Sequence, residues 1–149
     1  IERRGRGLPE PTPFEVQIPI PGEAEIPEAG ARIEAVLTSR KGIPEPPKSP
    51  DPFVAFFDAS LVEPPLVARS FRPGDRIRVH GLGGTKKVHD VFVDEKVPRE
   101  RRKRLPLICD RGGERVLWIP GVARSEHALV APETSEVLVL KVENMGLSR

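Results

Sequence analysis

Residues 71–121 read FRPGDRIRVHGLGGTKKVHDVFVDEKVPRERRKRLPLICDRGGERVLWIPG, and this stretch sets the fold class. Arg72-Pro73-Gly74-Asp75 is a type I or type II turn by composition, with proline second and glycine third. Ile77 and Val79 then alternate with Arg76 and Arg78, as in a half-buried strand. Gly81-Leu82-Gly83-Gly84 is a flexible loop. From Thr85, a candidate N-cap, Val88, Val91 and Phe92 recur at helical spacing, which predicts an amphipathic helix opened by Lys86 and Lys87. Val97-Pro98 breaks it, and Pro98 is placed to be the first residue of a second short helix running to about Arg104. Pro106 stops that helix. Leu107-Ile108-Cys109 and Val116-Leu117-Trp118-Ile119 then read as a hairpin around Asp110-Arg111-Gly112-Gly113.

Upstream of this stretch the pattern has period two. Phe14, Val16, Ile18 and Ile20 alternate with Glu15, Gln17 and Pro19, and Pro21-Gly22 closes that strand as a turn. Residues 31–38 alternate again. Residues 41–52 (KGIPEPPKSPDP) hold five prolines, cannot donate a continuous ladder, and read as an exposed loop that need not be ordered. Residues 53–58 form a buried strand and residues 66–69 a short one. Downstream, residues 137–142 make the last strand. The sum is an α+β fold: a mainly β domain over residues 14–145 with two short helices inserted late in the chain. Residues 1–13 read as a linker and 146–149 as a tail.

The 149 residues suit one domain of ordinary size. Their 18 prolines, about twice the usual ~5%, fit turns and short strands rather than long helices. No apolar run approaches the ~18–20 residues of a membrane span, and no apolar segment follows the charges at the start, as a signal peptide requires. A single cysteine, Cys109, permits no internal disulfide and fits a reducing, cytoplasmic setting. Because the chain starts at Ile1 and its one methionine is Met145, it is expected to be a piece of a longer protein.

The net charge of +2 hides an asymmetry. Residues 69–104 hold twelve basic and five acidic side chains, a net +7, so the rest of the chain carries −5. Such density is a footprint for phosphate, set against the plain alternative of a solvated helix face. Two features favour phosphate. Lys86 and Lys87 are expected at a helix start, where free N–H groups and the dipole attract anions. Gly81, Gly83 and Gly84 let a backbone approach closely.

The same residues carry a family resemblance. Arg72-Pro73-Gly74-Asp75-Arg76, Gly83-Gly84-Thr85-Lys86-Lys87, Lys96-Val97-Pro98-Arg99, Arg104-Leu105-Pro106-Leu107 and Trp118-Ile119-Pro120-Gly121, in this order, resemble the C-terminal domain of tRNA(Ile)-lysidine synthetase. The resemblance covers residues 14–142 apart from the proline-rich loop. It implies a domain that grips the acceptor stem of tRNA(Ile), and a fold similar to a β-rich domain of phenylalanyl-tRNA synthetase β subunits. A separate catalytic domain of the same chain would ligate lysine to C2 of the wobble cytidine, using ATP and magnesium. That domain's PP-loop, S-G-G-x-D-S, is absent from residues 1–149, so the piece itself is expected to bind no cofactor and to hold no catalytic residue. Gly81–Lys87 lacks the G-x-x-x-x-G-K-[ST] spacing and is rejected as a nucleotide loop. Within the motifs, the implied RNA contacts are Arg72, Arg76, Lys86, Lys87, Arg99 and Arg104. Arg78, Arg101, Arg102, Lys103 and Arg124 join them on charge alone. Asp75 is expected to cap its turn or orient Arg76.

Other readings are weaker. His80, His89, His127 and Cys109 match no zinc spacing. Trp118, in an apolar run, reads as core before it reads as a base-stacking platform. Asp90, Asp94 and Glu95 sit among basic neighbours and read as pair partners or solvent-facing groups. The rival function is a protein-interaction module that forms a homodimer or seats the catalytic domain. A charge-depleted interface core would place it on the acidic half, residues 14–68.

Overall fold

A computed structural model describes residues 12–144. The strands are β1 (Glu15–Ile18), β2 (Gly22–Ile26), β3 (Ala31–Ser39), β4 (Val54–Asp58), β5 (Leu66–Arg69), β6 (Arg76–Ile77) and β7 (Lys86–Lys87). Helices α1 (Val88–Asp94) and α2 (Arg99–Arg102) follow, then β8 (Leu107–Asp110), β9 (Arg115–Ile119), β10 (Ala123–Arg124) and β11 (Glu136–Glu143). They form a five-stranded sheet in the order β1-β5-β8-β9-β10, a four-stranded sheet β2-β3-β11-β4 and a two-stranded ribbon β6-β7. All pairings are antiparallel. The expected mainly β domain with two short late helices is what the chain adopts.

Both sheets feed one hydrophobic core, with Ile33, Phe57 and Leu140 from one and Leu66, Ile108 and Leu117 from the other. Every side chain of β5 and β8 is buried, the mark of strands covered on both faces. Helix α1 contributes Val88, Val91 and Phe92 to the same core, the spacing that predicted it, and Phe92 meets Phe71 edge-on at 5.5 Å between ring centroids. The last strand, β11, lies centrally between β3 and β4, so the chain's late residues complete the sheet its early residues begin.

Several local expectations need correction. Strand β2 was not foreseen: in its sequence, GEAEI, outward Glu23 and Glu25 alternate with inward residues, but of these only Ile26 is a large aliphatic. Helix α1 begins at Val88 with Lys87 as its N-cap, rather than at Lys86 behind a Thr85 cap, because Lys86 and Lys87 pair with Ile77 and Arg76 in the ribbon and the Val88 N–H donates to Asp75 O at 2.9 Å. Pro98 is the N-cap of α2 rather than its first residue, and α2 ends at Arg102. The proline-rich loop 41–52 is mostly exposed, as expected, but it buries Ile43 and fastens Pro52 O to Gly121 N at 2.9 Å. Most of the linker, residues 1–11, and the tail lie outside the described residues.

Candidate nucleic-acid interface

The turn at residues 72–75 closes with Asp75 N–H donating to Arg72 O at 3.0 Å. Gly74 takes φ +96°, the left-handed value that type II turns demand of their third residue. Asp75 caps this turn, its Oδ2 accepting from Arg72 N at 2.7 Å. Its ionic partner is Arg69 on β5, not Arg76. Arg69 is 3% exposed, and it also donates to the carbonyls of Gly113 and Ser70. Counted with the basic run, Arg69 is structural, and its setting in the apolar segment Leu66-Val67-Ala68-Arg69 was the available signal.

With Asp75 committed inward, Arg76 is free to point out. The β6–β7 register sets Arg76 directly opposite Lys87, and both are exposed. Among the described residues neither has an ion-pair partner. Like charges held opposite each other across a strand pair repel, and an anion between them relieves that cost. At the ribbon's tip, Gly81 and Gly83 take positive φ, and no heavy atom would lie within 4 Å of a Cβ at either position.

The other predicted cations divide. Arg72 is exposed and ties the turn to β1 through Glu15 at 2.6 Å. Arg78 pairs with Glu126 and Lys86 with Asp94. These are exposed pairs, weak enough for a phosphate to exchange with the carboxylate. Arg99 is exposed on α2, and Arg101 is half-buried. Arg102 Nε donates to Val97 O at 2.9 Å. Lys103 and Arg104, just past α2, are both engaged within the fold, Lys103 exposed and Arg104 half-buried. Only residues 95–98 separate α1 from α2, so ribbon and basic helix follow one another closely.

Arg124 turns inward instead. Its guanidinium donates to the carbonyls of Phe56 (2.5 Å), Ser125 (2.7 Å), His127 (3.1 Å) and Ala128 (3.4 Å), and lies 4.1 Å from the centre of the Phe57 ring. Burial pushes its pKa down to about 10. Four hydrogen bonds from its two terminal nitrogens go to the protein's own backbone, so Arg124 fits structure better than phosphate. Trp118 is buried at 3% exposed, in line with a core role. Cys109 is fully buried, which pushes its thiol up to about 12. Among the described residues no three His, Cys, Asp or Glu side chains gather where a metal ion could sit. No helix of the described residues is long and apolar enough to cross a membrane.

Residues 66–141, just over half the chain, match the family described as the TilS substrate C-terminal domain. The chain belongs to this family. Its domain is 39% identical over 110 residues to a tRNA(Ile)-lysidine synthase of Symbiobacterium thermophilum, an alignment covering 74% of this chain and 22% of that protein. With the tRNA(Ile)-lysidine synthase of Bacillus subtilis it shares 33% identity over 128 residues, 85% of this chain and 26% of the other. The TilS C-terminal domain chain thus spans about a quarter or less of these relatives. Among solved structures, a crystal structure of a TilS C-terminal domain superposes with a TM-score of 0.76 at 29% identity, covering 90% of this chain and 98% of that one. An N-terminal fragment of the phenylalanyl-tRNA synthetase β subunit of Pyrococcus horikoshii gives 0.50 at 20% identity over 63% of this chain and 28% of the other, a likeness of fold alone.

Proposed function

We propose that this domain docks the acceptor stem of tRNA(Ile) for a tRNA(Ile)-lysidine synthetase, holding the tRNA while a catalytic domain of the same protein modifies the anticodon. The observation that carries the reading is the Arg76–Lys87 pair, two exposed cations held in register with no acid among the described residues to neutralise either. Duplex RNA suits such a surface, because its deep groove excludes side chains and its shape and phosphates are what a protein can grip. Arg72, Arg78, Lys86, Arg99, Arg101, Arg102, Lys103 and Arg104 extend the basic surface, and Arg124 is left out of it. In this reading ATP and magnesium serve the PP-loop domain, lysine is joined there to C2 of the wobble cytidine, and the docking domain takes no catalytic step. The setting is the cytoplasm, where tRNA is met.

Fluorescence anisotropy of the 149-residue chain with a tRNA(Ile) transcript and an unrelated tRNA, at ~50 and ~200 mM salt, tests this. Saturable binding that falls steeply with salt supports docking, and a preference for tRNA(Ile) adds discrimination. No binding at ~50 mM salt defeats the reading for this chain.

A further inference from the structure

Strand β4 is an edge of the four-stranded sheet. Val142 N–H donates to Phe53 O at 2.9 Å, which fixes the alternation of the β4–β11 ladder. Ala55 and Phe57 therefore also face β11, while the N–H and C=O groups of Val54, Phe56 and Asp58 point off the edge. Most of these outward groups are answered. Val54 N–H donates to Asp51 O (3.1 Å), Asp58 N–H to Ala128 O (2.9 Å), and Phe56 O accepts from Arg124 (2.5 Å). Two neighbours remain without a partner among the described residues, the Val54 carbonyl and the Phe56 N–H.

Val54 and Phe56 line an open cavity of about 570 Å³, together with Trp118, Leu129 and Pro47. Lys48 and His80 stand exposed at its margin. The one acid there, Asp51, already accepts from Phe53 N–H at 2.9 Å. The chain links the ribbon to the cavity: beyond β6, Val79 bridges to Ser125, and His80, which lines the cavity, donates its N–H to Arg124 O at 2.9 Å.

We propose that this cavity receives an unpaired nucleobase of the RNA whose duplex lies on the ribbon, a proposal that rests on the docking reading above. One free acceptor and one free donor, two residues apart on one strand edge, match the adjacent donor and acceptor on a base's Watson–Crick edge. An added peptide strand fits poorly, since it needs a run of free edge groups and those flanking this pair are occupied. Half-buried Phe56 and the proline walls supply stacking surface, and the volume lies within the range of ligand sites, ~300–1,000 Å³. Unpaired bases are also where RNA offers its edges to a protein.

Trp118 is the single tryptophan and the chain has no tyrosine, so its emission reports directly on the cavity. The wild-type chain is titrated with a blunt RNA hairpin and with the same hairpin bearing a four-nucleotide single-stranded 3′ tail. The tail is expected to tighten binding roughly tenfold and to change Trp118 emission, in keeping with base–aromatic stacking. Val122→Phe, which fills the cavity, should abolish the tail's advantage and leave blunt-hairpin affinity intact. Arg76→Glu/Lys87→Glu should weaken both RNAs alike. Equal affinity for the two hairpins with unchanged Trp118 emission overturns the cavity proposal and leaves docking standing. No binding of the blunt hairpin, or binding indifferent to the Arg76/Lys87 reversal, overturns the docking reading and this one with it.

Discussion

Arg69 and Asp75 form a bidentate ion pair, Nη1 to Oδ2 at 2.9 Å and Nη2 to Oδ1 at 2.8 Å, that joins the buried strand β5 to the turn from which the basic ribbon starts. Asp75 also accepts from Arg72 N through its carboxylate and from Val88 N through its backbone carbonyl, so one residue fixes the turn, the ribbon and the start of α1. Asp75→Ala would leave the 3%-exposed Arg69 without its counter-charge. Removing one partner of a buried pair costs ~3–5 kcal/mol, and a loss of that size is expected in urea unfolding. A loss below ~1 kcal/mol would mean that water replaces Asp75 without strain.

Arg76 and Arg124 should behave as opposites, although the family motif makes the first an expected RNA contact and charge alone the second. Arg76→Ala removes an exposed cation with no partner among the described residues, so stability should hold while the log–log salt slope of RNA binding falls by about 1. Arg124→Ala strips the Phe56, Ser125 and His127 carbonyls of the guanidinium donor, leaves Ala128 O only the Asp58 N–H, and should cost about 3 kcal/mol, with the salt slope unchanged for the folded protein. A flattened slope in Arg124→Ala would return that residue to the interface.

Asp58 gives a pH dependence with a definite sign. Burial by itself would raise its pKa, but hydrogen bonds from the Ser60 hydroxyl (2.7 Å), the Thr134 hydroxyl (2.8 Å) and the Ser60 N–H (3.0 Å) prevail and hold it below the ordinary value. A depressed folded pKa contributes stability above the unfolded pKa of ~3.9, and this is lost as pH falls through the folded value. Thr134→Val should cost ~1–2 kcal/mol at pH 7 in urea melts, with the gap to wild type narrowing as pH falls below the ordinary carboxylate range. A gap that stays constant down to pH 2 would show that the loss comes from packing.

What the sequence made legible follows from where each signal is local. The turn at 72–75, the apolar face of α1 and the hairpin from β8 to β9 are set by residues close in the chain, and all three appear. Strand β2 is equally local, pairing with β3 from Ile26 to Ala31 onward, but its inward residues Gly22 and Ala24 are too small to announce an apolar face. The helix start was misplaced because pairing of Lys86 and Lys87 with β6, ten residues upstream, outweighs the cap that Thr85 offers. In the candidate site, charge density marks a segment but not the direction of each side chain. Arg69 and Arg124 are indistinguishable by charge from Arg76, and only the Asp75 carboxylate and the four carbonyls that meet them set them apart. The open edge of β4 could not be read at all, since it depends on β11 and on residues 124–128 arriving from the far end of the chain.

Cys109 is sealed between Arg69's strand and β9, fully buried, its Sγ 3.7 Å from Leu107 O. Burial is the main reason its thiol is pushed up to about 12, and the nearby Arg69 only partly offsets it. The reactive species is the thiolate, so at pH 8 the folded protein should resist iodoacetamide for hours under conditions that label the urea-unfolded chain within minutes. The sign for stability is opposite to that of Asp58. A pKa raised above the unfolded ~8.5 leaves stability intact below that pH and erodes it above, as the unfolded thiol ionises and the folded one does not. Wild-type stability should therefore fall between pH 8.5 and 10 by up to ~1.4 kcal/mol per pH unit more than that of Cys109→Ala, which loses packing but carries no proton to release. Equal slopes for the two proteins, or rapid native labelling, would show that β5, β8 and β9 open far more readily than their burial requires.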